Sequence, residues 1–431
     1  MTEAATLSPA PALVVRTVVV PDAELEDLVA TLPHADPLRA LAWVRRGEGI
    51  VGWGEAARVE TSGRDRITAA DSRWRELADH MVVRDEVQLP GTGAVAFGSF
   101  AFSSRSSAGG VLIVPRVVLG RRSGVAWVTT IASAAQLAPA PRLRDLRDSA
   151  EPWLEAPAVS FGDGALTRGQ WRAAVGEVVA LIREGVAGKV VMARDVKARL
   201  SRPADARRVL GNLADQYPSC WTFAVDGLVG ATPELLVRRE RGLISSRVLA
   251  GTIRRTGDDD ADLGRAASLA RSSKDLEEHE FAVDSLTRSL RSFAASTNSP
   301  DAPFVLHLPN VMHLASDVTA VLDPEHSTMS SLAVAAALHP TAAVCGTPTA
   351  VAAGLIDAHE RMDRGRYAGP VGWMSADGDG EWGIALRSAQ VDADSLGLRL
   401  FAGCGIVAAS DPEAELAESE AKLEPMRSAL G

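Results

Sequence analysis

The sequence predicts a protein of mixed strands and helices. Three observations carry the prediction: apolar runs separated by glycine-rich turns read as hairpins, capped stretches with apolar stripes read as helices, and a length of 431 residues suits two or three domains or one large α+β enzyme. A core is easily buried, since 46% of residues are hydrophobic and 23% charged. The formal charge of −10 argues against broad nucleic-acid or anionic-membrane binding, so a small anionic ligand needs basic residues gathered locally. Cys220, Cys345 and Cys404 are too few and too scattered for a disulfide framework or a zinc site; they suit a reducing compartment and read as packing residues. The start, MTEAATLSPAPALVV, carries acidic Glu3 where a signal peptide is basic, and no run approaches the roughly 18 apolar residues that a spanning helix requires. A soluble, cytoplasmic protein is expected.

Taken in order, Leu13 to Val20 reads as a strand and Asp22 to Leu32 as a short helix, closed by Pro33 to Pro37. Leu41 to Glu60 reads as paired strands turning at Gly47-Glu48-Gly49, with Gly52, Trp53 and Gly54 marking a strand close to another backbone. Arg64 to His80 is helical by the spacing of Ile67, Trp74 and Leu77. Strands follow at Ala94 to Phe102, Gly110 to Val118 and Val125 to Ile131, the last after an Arg121-Arg122-Ser123-Gly124 turn. This first third holds no chemistry that outweighs a structural role. From Ala132 to Gly164 the sequence turns rich in Pro, Ala and charge, which reads as a surface connector.

Thr167 to Gln170 forms a capping box, and Trp171, Val175, Val178 and Ile182 give the helix behind it an apolar stripe that ends at Gly185. KVVMARDVKARL follows as a β-branched strand with Lys189 at its mouth, a place where a lysine is either solvated or, in a shielded cleft, a base. Trp221 to Thr232 reads as a hairpin about Asp226-Gly227. Glu234, beside Pro233 at the entrance of the next strand, is either an exposed edge charge or a buried general acid. The strand after Gly242 is expected to end in VLAGT, a binding loop in which Gly251 admits close backbone approach and Thr252 offers a hydroxyl; RRTGDDDADLG then reads as a mobile loop. Ser272 caps a helix to Phe293 whose core stripe is Leu276, Val283, Leu286 and Leu290, leaving Asp275, Glu278 and Ala282 on another face, with His279 turned away from the stripe. His313 falls in a strand, Ser330 to Leu338 in a small-residue helix, and LHPTAAVCGTP in a loop. No internal repeat is evident in the sequence.

Between Arg361 and Lys422 the chain concentrates residues that packing alone does not demand. Gly369 to Ser375 and Trp382 to Val391 form a hairpin about Asp377-Gly378-Asp379-Gly380, which puts Arg387 inside a strand. Leu398 to Val407 is a strand carrying Gly403 and Gly405. Ser410 or Asp411 then caps a helix with Pro412 at its first position, and spacing of three and four sets Glu415, Glu418 and Lys422 on one face. Taken alone that face is an ordinary solvated ion-pair surface; beside the aromatics and glycines around Arg387, Glu415 and Glu418 are candidates to hold a hard divalent cation. If the Glu278 face meets this helix, Glu278 and Glu418 can share that cation.

Read together, KVVMARD, ATPELL, VLAGT, SSKDLEEH, LHPTAAVCGTP, RGRYAGPVGW, GEWGIALRSAQ and AGCGIVAASDPEAELAESEAKL resemble, in order and spacing, the chorismate-utilising enzymes, and among them the isochorismate synthases. The match is dense from about Leu166 to Leu430 and thin before it. The resemblance implies an α+β fold of antiparallel β-sheets flanked by helices that enclose a deep active site, a topology periodicity does not supply. Residues 1–160 are then an N-terminal subdomain of the same fold, mostly strands, and 165–431 the chorismate-binding catalytic region. It also implies a Mg²⁺ cofactor and chorismate as small-molecule partner, with neither nucleic acid nor membrane; a monomer is expected. Carried over by position, Lys189 matches the base that activates water and Glu234 the acid that protonates the departing hydroxyl. Glu278 and Glu418 match the metal ligands, and Asp275 and Glu415 are acidic positions beside them for metal-bound water. Gly251, Thr252, His313, Ala343, Tyr367, Arg387, Gly403 and Lys422 match positions lining the substrate.

The residue types suit that chemistry. Chorismate carries two carboxylates, which a cation and Arg387 can neutralise and orient. In the implied reaction water adds at C2 as the C4 hydroxyl leaves, giving isochorismate, and such an exchange needs one base and one acid tuned toward neutral pH. VLAGT resembles the water-using branch rather than the PIxGT pattern of anthranilate and aminodeoxychorismate synthases. Salicylate synthases, which go on to eliminate pyruvate, are the alternative; they place a threonine where this sequence has Ala343, which favours stopping at isochorismate. A catalytically silent chorismate-binding protein is disfavoured, because Lys189 and Glu234 are both retained beside two metal carboxylates. Isochorismate feeds menaquinone or a catecholate or salicylate siderophore, and genome neighbourhood separates these routes.

Overall fold

The computed structural model describes residues 13–25, 27–136, 139, 141–148 and 150–431, so most of the stretch read for targeting lies outside the described residues. The first strands are β1 (Leu13–Val20), β2 (Leu41–Arg45), β3 (Glu48–Trp53), β4 (Ala57–Thr61), β5 (Val82–Asp85), β6 (Val95–Phe100), β7 (Gly110–Val114), β8 (Val117–Arg122) and β9 (Val125–Ser133), with α1 (Arg66–Asp79) before β5. After α2 (Leu143–Asp148) come β10 (Val159–Asp163), α3 (Arg168–Arg183), β11 (Lys189–Leu200), α4 (Ala206–Gln216), β12 (Trp221–Val225), β13 (Leu228–Thr232), β14 (Leu235–Glu240) and β15 (Leu243–Arg254). The middle holds α5 (Asp259–Leu269), α6 (Ser273–Leu290), β16 (Ala294–Asn298), β17 (Phe304–His307), β18 (Val311–Leu322), α7 (Ser331–Leu338), β19 (Gly346–Thr347) and α8 (Thr349–His359). Last are β20 (Pro370–Ser375), β21 (Gly380–Ile384), β22 (Ser388–Val391), β23 (Gly397–Ile406) and α9 (Pro412–Leu430).

These strands make two sheets. One of thirteen strands runs β10-β11-β23-β22-β13-β12-β2-β3-β8-β9-β1-β5, with β19 beside β11; the other, of ten, runs β16-β18-β15-β14-β21-β20-β6-β7-β4, with β17 beside β18. Among the described pairings only β1 with β5 is parallel. Both sheets draw strands from before and after residue 165.

The strand orders contain a repeat that the sequence does not display. Outward from β12 and β2 the first sheet reads β12, β13, β22, β23 one way and β2, β3, β8, β9 the other; outward from β20 and β6 the second reads β20, β21, β14 and β6, β7, β4. Each half of the chain thus lays a hairpin in the first sheet, a strand and later a pair of strands in the second, and a last pair in the first, with a brief return to the first sheet in between at β5 or β19. The hairpins that open the halves turn at Arg46-Gly47 and Asp226-Gly227, with φ of 55° and 75° in one and 52° and 77° in the other. Such two-residue turns match the twist of the strands they join.

Aromatic side chains fill the space between the sheets near this axis, among them Trp43, Phe97, Phe223, Trp221 and Trp373. A carboxylate set among them, Glu381, accepts from the indoles of Trp43 at 2.9 Å and Trp221 at 3.1 Å and pairs with Arg238 at 2.9 Å, so its burial is compensated. Helices cover the outer faces: Trp171 and Val175 of α3 join one core, and Leu210 and Leu213 of α4 with Leu423 and Met426 of α9 join another. The capping box of α3 is formed as expected. The three cysteines are free and buried. Among the described residues no helix is long and apolar enough to cross a membrane.

Several expected elements differ. Residues 22–32 hold two 3₁₀ turns, Asp22–Glu24 and Val29–Thr31, in place of a helix, because the Asp27 carboxylate takes the Val29 amide at 2.8 Å and competes with helical bonding. The β2–β3 turn is Arg46-Gly47, not Gly47 to Gly49. RRTGDDDADLG is not a loop throughout: Asp258 caps α5 through the Ala261 amide at 2.8 Å, and Asp259, Asp260 and Asp262 in its first turn suit the positive end of the helix dipole. On α6 the buried line is His279, Ala282, Leu286 and Leu290, so His279 faces the core, where its Nε2 meets Ser316 Oγ at 2.8 Å. The connector from 132 to 164 contains α2 and β10, and β10 pairs with β11.

Candidate active site

Where the C-terminal half crosses between sheets, it leaves a cavity whose empty space, open mouth included, is about 650 Å³. The outward crossing is Thr232-Pro233-Glu234, between β13 and β14; the return is Ala385 to Arg387, between β21 and β22. Arg387 therefore stands in a bend with φ of 49°, not inside a strand as expected, since a strand cannot serve both sheets at once. Its carbonyl accepts from the Ala231 amide at 3.2 Å, which ties the two crossings together.

The cavity brings together most of the residues named from sequence. Glu234, Gly251, Thr252, Glu278 and His313 line it. So do Ala343, Tyr367, Arg387, Gly403 and Lys422. VLAGT is not the end of a strand: β15 runs on to Arg254, and Gly251 is a bulge, φ of 72°, where pairing with β18 slips by one residue. A side chain there would press within 2.9 Å of Asp275 Cβ, so the position needs glycine for both space and conformation. Tyr367 is stacked on Phe401, ring centres 5.0 Å apart.

Glu234 is 4% exposed, and burial pushes its carboxyl up to about 8 against the lowering pull of Lys189 and Lys422. It is a protonated acid at neutral pH. Lys189, the first residue of β11, is fully buried, with Nζ 3.1 Å from Glu278 Oε1 but without the angle of a formed hydrogen bond. Across the cavity wall Arg387 donates from Nη2 to His313 Nε2 at 2.8 Å. A guanidinium only donates, so Nε2 is the acceptor and Nδ1 carries the ring proton, facing Thr252 Oγ1 at 3.1 Å and the Gly251 carbonyl at 3.3 Å. Burial, Arg387 and Lys422 hold His313 neutral, well below its usual range. Arg387 Nη1 is buried and finds no hydrogen-bond partner among the described residues, so the site presents a charged donor that an anion would satisfy.

Carboxylates gather beside this wall. Glu418 pairs with Lys422 at 2.6 Å, and Lys422 also donates to the Gly403 carbonyl at 2.9 Å. Glu415, from the first turn of α9, is pushed up to about 7 by burial and by Glu418; Asp275 is raised by burial, Glu278 and Glu418. Glu278 is drawn below its usual value because Lys189 and Lys422 outweigh its burial. A Cβ at Gly405 would collide with Glu278 Oε1, so glycine makes the room for that carboxylate. Among the described residues the donor atoms that fall within 4.8 Å of one another are those of Cys404, Glu415 and Glu418, a set that does not include Glu278. Burial keeps the Cys404 thiol well above its usual range, hence protonated, which leaves oxygens as the available donors. Carboxylates raised by one another's charge fit a hard divalent cation.

Two groups were not singled out from sequence although both lie in quoted blocks. Lys274 reaches Glu415 Oε1 at 3.2 Å. Arg364, also on the cavity, donates to the carbonyls of Val344 at 2.9 Å and Val191 at 2.8 Å while pairing with Glu360, whose Oε1 takes the Ala193 amide at 2.7 Å. Glu360 and Arg364 are four apart, but α8 ends at His359, so no helix-face argument pairs them.

A family model described as chorismate binding enzyme matches residues 10–431. The salicylate biosynthesis isochorismate synthase of Pseudomonas aeruginosa is 34% identical over 411 residues, covering 90% of this chain and 84% of that protein. The isochorismate synthase DhbC of Bacillus subtilis is 39% identical over 265 residues, 59% of this chain and 65% of the relative. The solved structure of MenF, the menaquinone-specific isochorismate synthase from Escherichia coli, superposes with a TM-score of 0.78 at 25% identity, over 98% of this chain and 95% of that one. A fold, a cavity and a family match that run through both halves of the molecule make this chain a member of the chorismate binding enzymes.

Proposed function

We propose that the protein is an isochorismate synthase: a Mg²⁺-dependent enzyme that adds water at C2 of chorismate as the C4 hydroxyl departs. The observation that carries this reading is Glu234, a buried carboxyl that keeps its proton to about pH 8, in one cavity with a guanidinium that lacks an anion. Glu234 is the acid that protonates the leaving hydroxyl, which departs as water. Lys189 is the base that takes a proton from the attacking water, a role that requires its free amine. Between turnovers the proton gained by Lys189 returns to Glu234, so the exchange is an isomerisation with no net proton change. Arg387, steered by neutral His313, binds one substrate carboxylate, and the bulge at Gly251 with Thr252, Tyr367, Gly403 and Lys422 shapes the remaining wall. Ala343 offers the ring no hydroxyl.

Glu278 and Glu418 would hold Mg²⁺, with Asp275 and Glu415 behind them to hold its water; when bound, the ion supplies positive charge for a substrate carboxylate. The reading carries a cytoplasmic location and a monomer with it. Purified protein given chorismate and Mg²⁺ is expected to form isochorismate, resolved by chromatography. Folded, metal-loaded protein that leaves chorismate unchanged rules the proposal out.

A further inference from the structure

Each of the three glutamates around the cation position has its own lysine. Lys189 stands 3.1 Å from Glu278, Lys422 2.6 Å from Glu418, and Lys274 3.2 Å from Glu415. The first two lysines are fixed: Lys189 is fully buried, and Lys422 is also bonded to the Gly403 carbonyl. Lys274 differs. Its side chain is 37% exposed, and the bond its ammonium makes here is to Glu415. It sits in the first turn of α6, the end of a helix whose dipole disfavours a cation, so the carboxylates and not the helix hold it in place. The same turn carries Asp275, and one turn on, Glu278.

We propose that Lys274 is a built-in counter-ion for this carboxylate cluster, lending it positive charge when no divalent cation is bound and competing with that cation for Glu415 and its neighbours. The proposal rests on the assignment of these carboxylates as the cation site. Lys274 is the one lysine of the three whose ammonium can turn out to water without breaking a backbone bond or leaving a fully buried position, and the buried Glu415 that it releases is then left to the cation. It would then set how much Mg²⁺ the protein needs, as a positioning residue that never touches substrate. An ordinary surface ion pair would behave otherwise, losing the same small stability whether or not metal is present.

The test uses the full chain, stripped of metal and without chorismate, titrated calorimetrically with MgCl₂ as wild type, Lys274→Met and Lys274→Arg. Lys274→Met is expected to bind Mg²⁺ about threefold to tenfold more tightly, the effect of removing one nearby unit charge, and Lys274→Arg to stay within about twofold of wild type. Metal-free Lys274→Met should melt below wild type, and the gap should close at saturating Mg²⁺. Unchanged or weaker Mg²⁺ affinity in Lys274→Met, or a melting gap that persists with Mg²⁺, overturns the proposal while leaving the cation site standing. Wild type that takes up no Mg²⁺ overturns both the site and the role given to Lys274, and chorismate turnover, measured separately, then judges the isochorismate reading on its own.

Discussion

The two halves of the molecule cross between the sheets in the same way and finish the crossing differently. In the N-terminal half the chain leaves β3 at Gly54 and returns to β8 through Pro115 and Arg116; in the C-terminal half it leaves β13 at Pro233 and returns to β22 through Arg387. Both returning arginines join the outgoing segment through the backbone, Arg116 N to the Trp53 carbonyl at 3.1 Å and Arg387 O to the Ala231 amide at 3.2 Å. Their side chains part company. Arg116 is exposed and spends its Nε on the Glu55 carbonyl at 3.0 Å, its stem packed over Gly54, and Pro115 presses on Gly52. Arg387 is buried with an unpaired nitrogen, opposite a carboxyl that burial keeps protonated. One crossing is satisfied and closed. The other is left with unmet polar demand, and that demand is what makes a binding site of it.

The largest effect expected from this contrast is on turnover. Lys189→Ala should lower kcat by about 10²–10⁴ while chorismate still binds, and Lys189→Arg should fail as badly, because guanidinium does not give up its proton. Near-normal kcat in Lys189→Arg would reduce the lysine to a binding residue. Next come the twin arginines: Arg387→Ala should cost about 1.5–3 kcal/mol in kcat/KM, whereas Arg116→Ala should cost less than about 0.5 kcal/mol. Equal losses at both would mean that the crossings do not differ as argued.

Glu278→Gln or Glu418→Gln should raise the Mg²⁺ requirement strongly with the fold intact, and an unchanged metal titration would remove that residue from the site. With wild type, pyruvate should lag far behind isochorismate; stoichiometric pyruvate with salicylate would move the assignment to a salicylate synthase. The last effect is on stability and has the opposite sign. Unfolded, Glu234 ionises near 4.5, yet folded it stays protonated to about 8, so the unfolded state sheds its proton first and Glu234 costs stability as pH rises between those values. Glu234→Gln should therefore lose activity yet gain roughly 1–3 kcal/mol over wild type at pH 8, a gain that vanishes near pH 4 in urea titrations. A gain that does not depend on pH would show that Glu234 is not held protonated.

Much of this was legible as local chemistry. The Asp226-Gly227 turn, the Thr167 capping box and the Asp411-Pro412 helix start depend on neighbours a few residues away, and they appear where the sequence puts them. The resemblance also named side chains that line the cavity, Glu234 and Arg387 among them, whereas Lys189 lies outside that lining, buried beside Glu278. Sheet membership was not legible, because whether Trp382 to Val391 is one strand or two depends on partners in different sheets. Arg387 was misjudged for that reason, and the repeat in strand order went unseen because it survives in pairing and not in residue identity. Lys274 was overlooked because a lysine in a helix's first turn looks like surface until the far end of the chain is folded against it.

The pairing of β11 with β23 sets a timetable for synthesis. Ala193 lies opposite Gly403, about 210 residues later, so at ordinary ribosomal speed of about 5–20 residues per second that edge of β11 waits roughly 10–40 s for its partner. On its other edge residues 196–200 can pair with β10 almost at once, while Lys189 and Val190 wait for β19. During the wait this twelve-residue strand, apolar chiefly over Val190 to Ala193 and with Lys189 at its head, has the whole edge that faces β23 unclaimed. A nascent chain stalled before β23 would thus present an unpaired strand edge and lack the cavity wall that Gly403 and Gly405 supply.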